Sequence, residues 1–525
     1  MKTNTLYVSE YESFNSNDIQ KALGQESSAV SNLQEAKSAP KESHPNQSIK
    51  NTIDSQAQKI FDECVKFAQG KDNDKFLKFQ GSKTLRTQNY VGLIQTKSGF
   101  CLEILPKIFN KEGFENGHLC NKKCESEYLG SKESQEKLFC QIEQFIQKHI
   151  RQDLQADNEN LESKSAKQDI TIKNTDSKPK DSKLPCQIAQ AKSILLNCLR
   201  TLKDSPFRHI DTAHIKSMNM PLLEIFAMSF LNECEKLIKR GIRKDYVNID
   251  ENRHFLKGKL LFNENLKYNF AHKERFYTAF DEFSPNIAPN RLIVSTLHFF
   301  KKQNFSQKTK ERLNQLLFIF EEIPPSHNIQ ADFDKCHQSR YFSAYKLILQ
   351  WCEVFLNHKS FAPYSGDSIN FALLFPMEKL FESFVAFHLK KYAGEEVKTQ
   401  ERSKHLIEFK EGNKIGKLFQ LKPDIVIYRP NKANSKKIII ADTKWKVPSS
   451  QRDEKGKLID EKSGVSQGDL YQMFAYASKY KAKEVILIYP LCEQTKDLKN
   501  EWDSNKEWTF KANDIRLKLA FFPLY

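Results

Sequence analysis

Two short segments constrain this chain more than any others: Leu421-Lys-Pro-Asp424-Ile-Val-Ile-Tyr428 and, after a short basic loop, Lys437-Ile-Ile-Ile-Ala-Asp442-Thr-Lys444-Trp-Lys446. Each holds an apolar run bounded by charged or turn-forming residues, the pattern of two buried strands in a row. At a strand's period of two, Asp442 and Lys444 emerge on one face, with Lys446 two further along the same face. A strand that buries Ile438, Ile439 and Ile440 gains no packing by ending in an acid, a threonine and a lysine. Such residues can simply mark where a strand emerges into solvent. With Asp424 beside them, however, two carboxylates offer hard oxygen ligands to a divalent cation, and the ammonium faces a water or phosphate oxygen.

The flanking segments favour the second reading. Asp469-Leu-Tyr-Gln472-Met-Phe-Ala-Tyr476-Ala has helical character, and Gln472 and Tyr476, four apart, share a face. An amide and a phenol can both reach a phosphate or a base edge, although an aromatic packed on the sheet would look the same. Upstream, Phe375-Pro-Met-Glu378-Lys-Leu-Phe-Glu382-Ser-Phe-Val-Ala-Phe-His-Leu389 carries apolar residues at helical spacing, with Pro376 suited to the first turn. Glu378 and Glu382 point to one side of it, either as a solvated acidic stripe or as site carboxylates, Glu382 being the stronger candidate.

Pro423-Asp424, Asp442-Thr443-Lys444, and Gln472 with Tyr476 together resemble the signature of the PD-D/ExK nuclease superfamily. The phrase from Asp469 to Ala477 is similar to the McrC family, nuclease subunits of McrBC-type modification-dependent restriction systems. The likeness extends to Tyr90-Val-Gly-Leu-Ile-Gln95, Leu102-Glu-Ile-Leu-Pro-Lys107, Leu256-Lys-Gly-Lys-Leu-Leu-Phe262, Asn269 and Pro289-Asn290-Arg291, in that order. The resemblance implies a restriction-endonuclease-like α/β core at the C-terminus, a mixed sheet flanked by helices. It implies Mg2+ held by Asp424 and Asp442 with Glu382 as a further ligand, Lys444 orienting the attacking water, and Gln472, Tyr476 and Lys446 in support. It also implies double-stranded, methylated DNA as substrate and an McrB-like AAA+ GTPase hexamer as partner, which would bind GTP and read modified cytosine. Two alternatives stay open: a stand-alone nuclease of the same fold acting in repair, and a non-enzymatic adaptor whose site has decayed. The intact Asp, Asp, Lys set argues against decay.

No G-x-x-x-x-G-K-[ST] loop occurs. The segment Gly412-Asn-Lys-Ile-Gly416-Lys417-Leu has the wrong spacing and lacks the hydroxyl that holds magnesium, so the chain is expected to bind no nucleotide itself. A formal charge of +16 over 525 residues suits a polyanionic partner, but lysine is abundant throughout and identifies none. No apolar run is long enough to span a bilayer and the N-terminus is unlike a signal peptide, so a soluble cytoplasmic protein is expected. Most of the eleven cysteines sit in apolar settings, typical of reduced thiols. His118, Cys120, Cys124 and Cys140 offer one loose pair rather than the two tight pairs of a structural zinc site, so an ordinary surface insertion is expected there.

The chain reads as a multidomain α+β protein. Residues 1–50, rich in Ser, Asn, Gln and Lys, are expected to form a disordered tail. Residues 51–111 suggest a β-rich module with a helix near Gln58–Phe67 and strands through Val91–Ile108. A polar, partly disordered insertion is expected over 112–184. Residues 185–365 read as a mainly helical arm, with helices over Ile188–Leu202 and Leu222–Ile238 and another starting at Asn290; by resemblance this arm engages the motor. Residues 366–525 form the expected nuclease domain.

Overall fold

The computed structural model describes residues 5–23, 46–108, 132–151, 187–210, 220–357 and 369–525, apart from 82, 339, 395, 412–413, 431–435, 449–463, 504–506 and 512–513. The chain divides into two compact units: Met1–Asn4, Ile94–Cys101 and Pro221–Leu373 in one, Thr5–Leu93, Leu102–Met220 and Leu374–Tyr525 in the other.

The first unit holds the helices Leu222–Arg240, Ala288–Lys301, Gln307–Ile319, Ile329–Gln338 and Lys346–Leu356. Their apolar residues recur three and four apart and bury an aromatic cluster of Phe226, Phe230, Phe300, Trp351 and Phe355; the Phe300 and Phe355 rings meet edge to face at 4.7 Å. The region is less purely helical than its sequence suggests. Asp245–Arg253, Lys259–Leu260 and Phe276–Ser284 form an antiparallel three-stranded sheet. Tyr246 and Phe283 on this sheet are exposed, as are Phe255, Phe262 and Phe270 in the connecting segment. Arg240–Ile249 reads in the sequence as a loop leading into a strand, and Asp245–Arg253 is that strand; the two strands that pair with it were not expected.

The second unit is ordered close to its N-terminus, where a disordered tail was expected. The strand Thr5–Ser9 joins a four-stranded sheet with Cys101–Leu105, Tyr90–Thr96 and Ile369–Pro376, and the helix Asn46–Ala68 starts before residue 50. The expected disordered tail therefore fails for residues 5–23 and 46–50; residues 24–45 lie outside the described residues. A strand forms in so polar a stretch because its sheet neighbour, Cys101–Leu105, is wholly buried and lies nearly a hundred residues away in sequence, beyond the reach of local pattern. Within the expected insertion, Lys132–His149 is an amphipathic helix that buries Leu138, Ile142, Phe145 and Ile146.

After the strand Ile369–Pro376, the described residues of the C-terminal domain form eight strands: β1 (Glu396–Thr399), β2 (His405–Glu411), β3 (Lys414–Gln420), β4 (Ile425–Pro430), β5 (Lys436–Thr443), β6 (Glu484–Pro490), β7 (Trp508–Phe510) and β8 (Ile515–Phe522). Its helices are α1 (Met377–Tyr392), α2 (Gln467–Tyr480) and α3 (Lys496–Asp503). Six strands form a mixed sheet in the order β1-β4-β5-β6-β8-β7, while β2 and β3 pair as a separate ribbon. β4 runs antiparallel to β5, whereas β5, β6 and β8 run parallel. Parallel neighbours need a crossover, and α2 and α3 lie in the two connections. β6 is buried at every position, as a parallel strand covered on both faces must be. α2 packs Met473, Tyr476, Ala477 and Tyr480 onto Val426, Ile440, Val485 and Leu487. Pro376 falls one residue earlier than expected, closing the strand Ile369–Pro376 and standing as N-cap to α1.

Candidate active site

Ile425 of β4 stands opposite Ala441 of β5. One step further in that register sets Asp424 opposite Asp442, so strand pairing alone brings the two acids together. Asp424 is then fixed from its neighbour: its Oδ2 accepts the Thr443 backbone N–H at 2.9 Å and the Thr443 hydroxyl at 2.7 Å. Asp442 is 1% exposed. Its buried Oδ2 lies 2.6 Å from the Lys444 ammonium, which pairs with it.

Lys444 lies just past the end of β5, where its backbone N–H continues the ladder to Ile488 O at 2.9 Å. Its Nζ donates to Gln472 Oε1 at 2.9 Å. Gln472 Nε2 donates to the Tyr476 hydroxyl at 2.8 Å, and that hydroxyl donates to Lys422 O at 3.1 Å. A chain of hydrogen bonds thus runs from the lysine through α2 to the segment that presents Asp424. Lys446 does not reach Asp442; exposed, it pairs with Asp469 Oδ2 at 3.0 Å. Asp469 also lies 3.7 Å from the Lys444 ammonium.

Glu382 faces this group from α1. Its Oε1 accepts a hydrogen bond from Gln400 Nε2 at 2.7 Å. Burial, and next the charge of Asp424, raise its pKa to about 7. Burial likewise raises Asp442, with Asp424 adding to the effect and Lys444 opposing it, to about 6. The Lys444 ammonium would lose its proton more readily through burial, but Asp442 more than offsets that and holds it above the ordinary lysine value. Asp469 stands below the usual carboxylate range: burial works against its charge, and Ser466, Lys446 and Lys444 outweigh it. Glu378 belongs elsewhere, acting electrostatically on Glu10, Tyr11 and Tyr90.

The structure therefore gathers Asp424, Asp442, Lys444, Gln472, Tyr476 and, electrostatically, Glu382. Sequence pattern did not single out Asp469, Thr443 or Gln400. Asp469 carried a usable signal, since it sits three residues before Gln472 on the same helix face. Among the described residues no three His, Cys, Asp or Glu side chains form a ready group of metal ligands. The donors nevertheless suit a hard divalent cation: opposed carboxylates, one of them almost wholly buried, and a third acid whose charge the other two disfavour. His118, Cys120 and Cys124 lie outside the described residues, and Cys140 is an exposed free thiol. No helix among the described residues is long and apolar enough to cross a membrane.

The model of the family described as McrBC 5-methylcytosine restriction system component matches residues 85–490. No curated protein matches the chain. Among solved structures, the refined half-complex from a tetradecameric assembly of Thermococcus gammatolerans McrB AAA+ hexamers with bound McrC aligns over 99% of this chain and 94% of that chain, at 13% identity and a TM-score of 0.49. A cryo-EM structure of the Thermococcus gammatolerans McrBC complex aligns over 74% of this chain and 87% of that chain, at 15% identity and a TM-score of 0.34.

Proposed function

Because the chain belongs to the family of McrBC 5-methylcytosine restriction system components, we propose that its C-terminal domain is the part of that system that hydrolyses DNA phosphodiesters. The observation that carries this reading is the pairing of Asp424 and Asp442 on adjacent strands, with Lys444 2.6 Å from Asp442. Asp424 and Asp442, with Glu382, would hold Mg2+. When bound, the ion would supply Lewis-acid polarisation of the scissile phosphate.

The side chains divide the remaining work. Lys444 orients the attacking water and stabilises negative charge gathering on the phosphorus oxygens, and a charge fixed in place before the reaction starts is among the strongest contributors to rate acceleration. Gln472, fixed by Tyr476, holds the lysine at its post. Thr443 keeps the Asp424 carboxylate turned toward β5. Lys446 and Asp469 form a second pair at the rim, where the exposed lysine can meet the DNA backbone.

With no nucleotide-binding loop in the sequence, a GTP-driven motor for this component would be a separate chain. The partner proposed is an AAA+ GTPase hexamer of the McrB kind, with the arm formed by residues 185–365 as its contact and GTP bound by the partner alone. Methylated double-stranded DNA is the proposed substrate.

The test is a cleavage assay on methylated DNA with an McrB-like AAA+ GTPase from the same source, GTP and Mg2+. Asp442→Ala should abolish cutting yet leave partner binding and GTPase stimulation intact. Full cutting by that variant would remove the site assignment. Efficient cutting by the isolated chain with Mg2+ alone would instead favour a stand-alone nuclease.

A further inference from the structure

Between the two lysines of the site stands a residue with no place in the chemistry above. Trp445 is 3% exposed and its ring packs on Phe381, centroids 5.3 Å apart. Phe381 precedes Glu382 on α1, so the indole lies between the strand end that carries Lys444 and the helix that carries Glu382. Its Nε1–H donates to Glu10 Oε2 at 2.9 Å, a contact spanning 435 residues of sequence.

Glu10 is itself firmly seated. It follows the strand Thr5–Ser9, is 4% exposed, and donates its backbone N–H to Leu105 O at 3.0 Å. Its Oε2 also accepts the Lys107 backbone N–H at 3.1 Å. The other carboxyl oxygen, Oε1, is buried without a hydrogen-bond partner. A carboxyl group buried with one oxygen unsatisfied is a costly way to hold a strand in a sheet, since an apolar side chain would pack there at no such cost. The other ionisable groups that face it are Lys107, Glu378 and Tyr11.

We propose that Glu10 is a positioning residue for the nuclease: through the Trp445 indole it sets the separation between the Lys444 strand end and the Glu382 helix. The N-terminal strand is on this account part of the cutting apparatus. The inference rests on the nuclease reading of the site.

The full chain, with its GTPase partner, GTP, Mg2+ and methylated DNA, provides the test. Glu10→Ala should lower kcat roughly 10- to 100-fold, the scale on which small misplacements of catalytic groups act, with KM changed less than about twofold. Glu10→Gln, whose amide oxygen can still accept from the indole, should restore most of the rate. Trp445→Phe keeps the ring contact with Phe381 and removes only the donor, so it should reproduce Glu10→Ala, and the double variant should be no worse than either. Circular dichroism reports whether each variant folds, and in the Glu10 variants the Trp445 indole resonance in NMR reports whether the hydrogen bond is lost. If folded Glu10→Ala or Trp445→Phe cuts at the wild-type rate, or if Glu10→Gln is as slow as Glu10→Ala, the inference is overturned. If wild type itself does not cut, the nuclease reading falls, and this inference with it.

Discussion

Lys444 stands among Asp442, Asp469 and Gln472, its ammonium in direct contact with the more deeply buried of the paired acids. In the proposed reaction its removal takes away charge stabilisation needed mainly in the transition state. Lys444→Ala should therefore lower kcat by roughly 100- to 1000-fold while DNA affinity, read by fluorescence anisotropy, stays within a few fold. Lys446 already has its own acid at 3.0 Å, so it should not rescue the loss. Glu10 offers a second test at this scale. Burial, its largest influence, raises its carboxyl pKa to about 7. Between pH 4.5 and 7 the folded chain thus keeps a proton that the unfolded chain releases. The resulting stability is fully present below about pH 4.5 and is lost as pH rises through about 7, by up to about 3 kcal/mol. Glu10→Gln should flatten this slope, so that urea unfolding at about pH 8 shows a variant more stable than wild type.

At the scale of the element, α2 decides how well the site is held. Ser466 caps it, its Oγ accepting the Asp469 N–H at 3.2 Å, and the helix closes at Lys481 with φ of +56°, in the left-handed region. Ser466→Ala should cost about 1 kcal/mol and loosen Asp469, the acid that both lysines approach. Lys481→Gly should stabilise by roughly 0.5–1 kcal/mol, because glycine adopts that conformation without a Cβ penalty; thermal melts check both. The same domain shows what sequence pattern could convey. β5 was legible because Ile438, Ile439 and Ile440 form an apolar run and Asp442 and Lys444 obey its period. α2 was legible from its apolar spacing and from Gln472 and Tyr476. Asp469 was not singled out although it shares a helix face with Gln472, because the lysines that pair with it reach it only across the β5–α2 crossover. The strand Thr5–Ser9 was illegible because its sheet partner is distant in sequence, and of the sheet around Tyr246 only the strand after Arg240 was legible, its partners Lys259–Leu260 and Phe276–Ser284 being recognisable only through the pairing.

At the scale of the molecule, long-range polar contacts knit the second unit together. Lys192, on the helix Gln187–Arg200, is wholly buried and lies 3.1 Å from Glu103 Oε2, while donating to Met220 O at 2.9 Å and to the Tyr7 hydroxyl at 3.3 Å. Burial alone would drive its proton off, but Glu103 and Tyr7 hold the ammonium above its ordinary pKa. Lys192→Met leaves an acid buried without its cation and should cost about 3–5 kcal/mol, whereas Lys192→Met with Glu103→Leu should recover most of that in denaturant titrations. The sheet of the C-terminal domain has a comparable consequence for the acids of the proposed site. Asp442 is pinned on both sides, by antiparallel β4 and by parallel β6 where it faces Leu487, whereas Glu382 rides on a helix with Gln400 as its hydrogen-bond donor. One side of the proposed site is an anvil set into the sheet; the other reaches it by a side chain alone. A change of reach such as Glu382→Asp should therefore lower the cleavage rate less than the same one-carbon change at Asp442.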